Sequence, residues 1–177
     1  AYAAAGSDAR MNGCELPVVI NSGSGNQGLT VSVPLIVYAE REHLDKEKLY
    51  RALVISNLTA IHLKTEIGRL SAFCGAVSAG AACGAGLAYL KDASEEVMNH
   101  TIVNALAITS GIICDGAKAS CAAKIAVSVE AGILGYDMYM NGQQFYGGDG
   151  IISKGIENTI HNIGVLGSQG MASTDQE

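Results

Sequence analysis

The sequence predicts a mostly helical protein, a compact set of helices with tightly packed, Gly/Ala-rich backbones. Three observations predict it. Apolar residues recur at i, i+3 and i+4 from Asp45 to about Glu66, and the chain beyond also reads as helices. Hydrophobic residues make up 49% of the 177 positions, yet there is no Trp, and Gly reaches 22 while Pro is only 2. The apolar content is therefore largely small side chains, which favour close approach of backbones over a core of bulky groups. Finally, Ser71 to Leu90 is a twenty-residue run without a charge, flanked by Arg69 and Lys91. Its length suits a membrane span, but Ala, Gly, Ser and Cys insert weakly, so it reads as a buried helix and no membrane association is expected.

The elements follow in order. CELPVVI, Cys14 to Ile20, is short, apolar and β-branched, and reads as a strand. A polar glycine-rich loop follows, Asn21 to Gly28. Leu29 to Glu42 is ambiguous, because Pro34 suits neither a central strand nor a helix interior. From Asp45 to about Glu66, the residues Leu49, Ala52, Leu53, Ser56, Ala60 and Leu63 form one helical stripe, with Asp45 as N-cap. A second helix is expected from Arg69 to Lys91. A third starts after Asp92, which has Glu95 at capping-box spacing. A fourth covers Ser120 to Tyr139. The loop Asn141 to Gly150 separates it from a last helix, Ile151 to Leu166, and the tail reads as frayed. One helical domain, residues 1–177, accounts for the whole chain.

Charge excludes some functions. Lys plus Arg is 11 and Asp plus Glu is 17, a formal net charge of −6, so no footprint for nucleic acid or anionic lipid is present. AYAAAGSDARMNG has no basic segment followed by an apolar one and is not a signal peptide. The chain opens at Ala1 as though cut from something longer. Five cysteines in small, apolar surroundings point to reduced thiols and a cytoplasmic location. Small apolar helices and low surface charge are compatible with a homodimer.

Two constellations could carry chemistry. Gly23-Ser24-Gly25-Asn26-Gln27-Gly28 fits G-x-G-x-x-G, the dinucleotide fingerprint. The βαβ context that motif requires is missing, so a dinucleotide-binding oxidoreductase is the weakest reading. The loop can equally bind an anion such as a substrate carboxylate through its backbone N–H groups, or be a tight turn capped by its own Ser and Asn side chains. The second constellation is Cys74, then Cys114 forty residues on, then Cys121 seven further. This is neither a zinc nor a common ferredoxin spacing. Such cysteines are often buried small hydrophobes. However, Gly75, Ala76, Gly116, Ala117 and Ala119 leave room for a bulky inorganic group, with backbone N–H groups free for sulfur. His62 and His161 are candidate bases, His100 precedes the Cys114 segment, a lone helical histidine is more often structural, and His43 reads as solvated surface.

GRLSAFCGAVSAGAACGAGLAYL, GIICDGAKASCAAKIA and CELPVVINSGSGNQG together resemble the alpha-chain family of iron–sulfur L-serine dehydratases, in particular its L-cysteine desulfidase branch. The resemblance runs from about Ala3 to Met171. It implies a helical catalytic portion carrying a [4Fe–4S] cluster on Cys74, Cys114 and Cys121, without pyridoxal phosphate. It also implies that Ser22, Gly23, Ser24, Gly25, Asn26 and Gln27 take the carboxylate of a small amino-acid substrate. The implied reaction is α,β-elimination, L-cysteine to pyruvate, ammonia and sulfide, or L-serine to pyruvate and ammonia. Lys118, between two implied ligands, is a candidate base. Cys83 and Cys14 match no ligand position. Cys114-Asp115-Gly116 departs from the C-D-P of the serine enzymes, so their specificity does not carry over. Family members are longer at the N-terminus, which makes an N-terminal portion of the same enzyme an expected partner. The competing reading is a non-catalytic or regulatory relative whose cysteines only pack.

Overall fold

The structure, a computed structural model, describes residues 1–176. Seven α-helices form among the described residues: α1 (Tyr2–Met11), α2 (Gly25–Arg41), α3 (Lys46–Ile67), α4 (Gly75–Leu90), α5 (Glu95–Thr109), α6 (Ser120–Met140) and α7 (Ile156–Val165). A single π-helical turn, Leu166–Gly170, extends α7. No strand forms among the described residues, in agreement with the mostly helical class the sequence predicts.

The uncharged run forms the centre. All four of α2, α3, α5 and α6 pack on α4, and that helix is buried around its circumference. Small residues make this geometry available. A methyl group on Gly84 would stand 2.8 Å from the Cα of Gly132, and one on Gly80 would stand 2.3 Å from the Ser128 carbonyl oxygen. The α4–α6 crossing thus brings backbone against backbone. No helix is long and apolar enough to cross a membrane. Cys83 is fully buried in this packing, which pushes its thiol up to about 12.

Several boundaries differ from the sequence expectation. The segment read as a strand, Cys14 to Ile20, is irregular and mostly exposed. A lone apolar run has no neighbouring strand to pair its backbone, and among the described residues none is present. The ambiguous stretch is the helix α2, with Pro34 inside it. Proline removes one backbone bond, and the helix continues because burial of Val31, Leu35 and Ala39 outweighs that loss. The N-terminal helix α1 was not predicted. Asp45 does cap α3, accepting from the N–H groups of Glu47 and Lys48. Ser94 rather than Asp92 caps α5, through its hydroxyl to the Val97 N–H. The last helix begins at Ile156, not Ile151. The tail is not frayed over its described part. Asp175 accepts a hydrogen bond from the Ala72 N–H, and Met171 packs against the main core.

Candidate active site

Between α2, α4 and the start of α6 lies a cavity of about 270 Å³. Its wall contains Cys74, Cys114 and Cys121 together with Gly23, Ser24, Asn26 and Gln27. The two constellations singled out in the sequence therefore share one site.

The cysteines reach it from three backbone features. Ala72 to Cys74 runs antiparallel to Ile112 to Cys114: the Cys114 N–H donates to the Ala72 carbonyl at 2.7 Å, and the Cys74 N–H to the Ile112 carbonyl at 3.2 Å. This short pairing joins the start of α4 to the α5–α6 loop and, with Phe73 opposite Ile113, puts Cys74 and Cys114 diagonally across one face. It also explains why α4 begins at Gly75 rather than Arg69, since residues 72–74 are spent on it. Cys121 lies in the first turn of α6, its Sγ 3.5 Å from the Lys118 backbone nitrogen and 3.5 Å from the Gly116 carbonyl oxygen. Burial pushes the Cys74 thiol up, partly offset by the Ala76 backbone hydrogen bond. Lys124 pins the loop between Cys114 and Cys121, donating to the Ile113 carbonyl at 2.8 Å and to the Asp115 carboxylate at 2.5 Å.

The glycine loop is a tight turn and part of the cavity wall at once. Asn21 and Ser24 exchange two backbone hydrogen bonds of 3.1 Å across Ser22 (φ 48°) and Gly23 (φ 93°). Two successive positive φ values are those of a type I′ turn. The Asn21 side chain anchors it to Asn57 of α3 at 3.0 Å, and Ser24 caps α2. Gly25 and Gly28 are explained by packing. A methyl group on Gly25 would meet Val18 at 2.6 Å, and one on Gly28 would meet the Val19 carbonyl oxygen at 1.7 Å. No βαβ unit surrounds the turn among the described residues, so the dinucleotide motif lacks its structural context. Gly25 stands outside the cavity wall, and Ser22 lines a neighbouring cavity that shares Gly23, Lys64 and Arg69.

Four cations line the cavity, Arg10, Lys64, Arg69 and Lys124, and no carboxylate does among the described residues. In a chain of net charge −6 this is a local reversal of sign. Arg10 is held by Asn26, donating to its Oδ1 at 3.1 Å. Lys64 is 5% exposed, and its ammonium has no hydrogen bond or ion pair among the described residues. Burial pulls its ammonium below the ordinary lysine range, opposed by Cys114, Cys74 and Asp175 nearby. Sequence reasoning missed Lys64. Its signal was a lysine four residues after Ala60 and eight after Ser56, on the face of α3 that is otherwise buried.

Other predicted residues lie elsewhere. Lys118 is outside the cavity wall. His62 pairs with Glu157 at 2.9 Å and His161 with Glu66 at 2.7 Å, reciprocal exposed links between α3 and α7. His100 stacks on Tyr139. None of these histidines reaches the cavity.

A family model described as serine dehydratase alpha chain matches residues 1–177. The chain belongs to that family. A UPF0597 protein of Desulfitobacterium hafniense is 68% identical over 177 residues, all of this chain and 41% of that protein. UPF0597 proteins of Treponema denticola and Finegoldia magna are 58% and 57% identical, over 98% and 99% of this chain and 40% and 42% of theirs. The chain thus spans about two-fifths of the length of the curated relatives it matches. No solved structure matches it.

The wall holds the donor type that an iron–sulfur group takes, cysteine sulfur. No cluster of three or more His, Cys, Asp or Glu side chains stands close enough for one metal ion among the described residues. A single zinc needs its thiolates about 2.3 Å from one point, whereas a cubane spreads them over separate irons. Cys74, Cys114 and Cys121 line one cavity with the small Gly75, Ala76, Gly116 and Ala117 beside them.

Proposed function

We propose that this chain is the iron–sulfur-binding portion of a lyase that performs α,β-elimination on a small amino acid, L-cysteine or L-serine. The observation that carries the reading is the meeting of Cys74, Cys114 and Cys121 with the glycine loop on one cation-lined cavity. A [4Fe–4S] cluster bound by those cysteines would supply a Lewis acid for the departing thiol or hydroxyl.

The chain's own residues then have separate tasks. Arg10, Lys64, Arg69 and Lys124 draw in and orient a small anion. The N-terminus of α2 adds its uncapped N–H groups and positive dipole end. Lys124, by gripping Ile113 and Asp115, keeps Cys114 and Cys121 on the same wall. Lys118, outside the wall, receives no proton-transfer role. Reduced cysteines at such a site suit the cytoplasm.

The test is pyruvate release from L-cysteine and L-serine by anaerobically reconstituted full-length protein. Pyruvate with one equivalent of ammonia is expected from either amino acid, and one equivalent of sulfide as well from L-cysteine. Cluster-loaded protein that releases none from either amino acid would overturn the reading.

A further inference from the structure

A second cavity, of about 510 Å³, lies between α1, α2 and α6 and shares one wall residue, Ile125, with the cysteine cavity. Its lining is mostly apolar: Leu87 and Ile125 are buried, and Val129 and Ile133 are half-buried. This apolar area is sheltered in a cleft rather than spread on an outward face, which suits a small molecule better than a protein surface. Three of the chain's seven tyrosines, Tyr2, Tyr38 and Tyr136, line the same space. Two cations stand over their rings. The Lys91 ammonium is 4.5 Å from the centre of the Tyr136 ring and 6.0 Å from that of Tyr38, and the Arg41 guanidinium is 5.6 Å from that of Tyr2. Neither cation has an ion pair among the described residues. A ring face holds a cation in place without neutralising it. Tyr38 and Arg41 are three residues apart on α2 and so share one helix face, which puts both cations beside Tyr38. Glu130 is the one carboxylate of the lining among the described residues, so the cavity is net positive in a chain of net charge −6.

We propose that this cavity binds a small amphipathic carboxylate, its aromatic or branched body against Leu87, Ile125, Val129 and Ile133 and its carboxylate on Lys91 and Arg41. A neutral apolar molecule would leave both cations unpaired. A cationic one would meet two like charges, and a short carboxylate without a body would leave the apolar lining wet. The proposal is independent of the lyase reading, because none of the cysteines and no residue of the glycine loop lines this space. The site nevertheless touches the same two helices as the cysteine cavity. Ile125 of α6 is a wall of both, and α1 carries Tyr2 at this cavity and Arg10 at the other.

The experiment is calorimetric titration of full-length protein with 3-phenylpropionate, 3-phenylpropylamine and propionate. The first carries the body and the carboxylate, the second the body with a cation, the third the carboxylate without the body. The wild type should bind 3-phenylpropionate at least tenfold tighter than the other two. Lys91→Met and Arg41→Met should each weaken it fivefold or more. Both side chains are exposed, so these variants should keep the wild-type thermal midpoint. Lys91→Arg, which keeps the charge, should stay within about twofold of wild type. The cysteine cavity is also lined by cations, and Lys64→Met separates the two sites, since it should leave 3-phenylpropionate binding unchanged. Binding lost in Lys64→Met but kept in Lys91→Met would put the carboxylate in the cysteine cavity and overturn the proposal. Equal affinity for the carboxylate and the amine would overturn it too. So would no binding at all by full-length protein, the result expected if a further part of the longer chain or a second copy fills the cavity.

Discussion

The side-chain amide of Gln27 rests on the bare Cα of Gly75, the first residue of α4 and the neighbour of Cys74. This contact couples the glycine loop to the cysteine wall, because any side chain at position 75 would displace the amide.

Gly75→Ala should therefore impair substrate binding while leaving the fold intact. The clash falls on the far end of a flexible side chain, and Ala is the better helix former by about 1 kcal/mol. The expected result is a KM raised tenfold or more with an unchanged thermal midpoint. A large drop in the midpoint with normal KM would show that Gly75 serves packing alone.

The α4–α6 crossing should be far less tolerant. In Gly84→Ala the new methyl would press on the backbone of Gly132, which has no rotamer to give. Overpacking of this kind costs about 1–3 kcal/mol. Thermal unfolding should fall by roughly 2–4 °C per kcal/mol for a chain of this size, and a midpoint within 1 °C of wild type would contradict the backbone-contact account.

Much of this was legible in the sequence, and the reasons for the rest are physical. The charge-free run announced a buried helix because Gly and Ala carry no other signal so strongly. Asp45 was readable as a cap because capping is local. The strand expected at Cys14 to Ile20 failed because a strand is a property of a pair, and no partner forms among the described residues. The cysteines could be listed, but the pairing of Ala72–Cys74 with Ile112–Cys114 that puts two of them on one face is a contact across some forty residues. Lys64 was hidden in the same way. It looks like an ordinary helical lysine until α3 is turned toward the cavity. Lys118 looked important because it lies between two cysteines in sequence, yet the first turn of α6 leaves it outside the wall.

The tail offers a third prediction. Asp175 accepts from the N–H of Ala72, the first residue of the paired segment that carries Cys74. Asp175→Ala removes that acceptor and loosens the segment. Faster hydrogen exchange at residues 71–74 is expected, together with quicker loss of visible absorbance in air from reconstituted protein. Unchanged exchange at those amides would show that the tail contact does not hold the cysteine segment.

The central claim is that Cys74, Cys114 and Cys121 hold an iron–sulfur cluster while Cys83, sealed in the α4 packing with its thiol at about 12, does not. The direct measurement is iron and acid-labile sulfide in anaerobically reconstituted full-length wild type, Cys114→Ser and Cys83→Ser. About four of each per chain is expected in wild type and Cys83→Ser, as a [4Fe–4S] centre requires, with loss of both in Cys114→Ser. Equal loss in the two variants, or no iron in the wild type, would contradict the assignment.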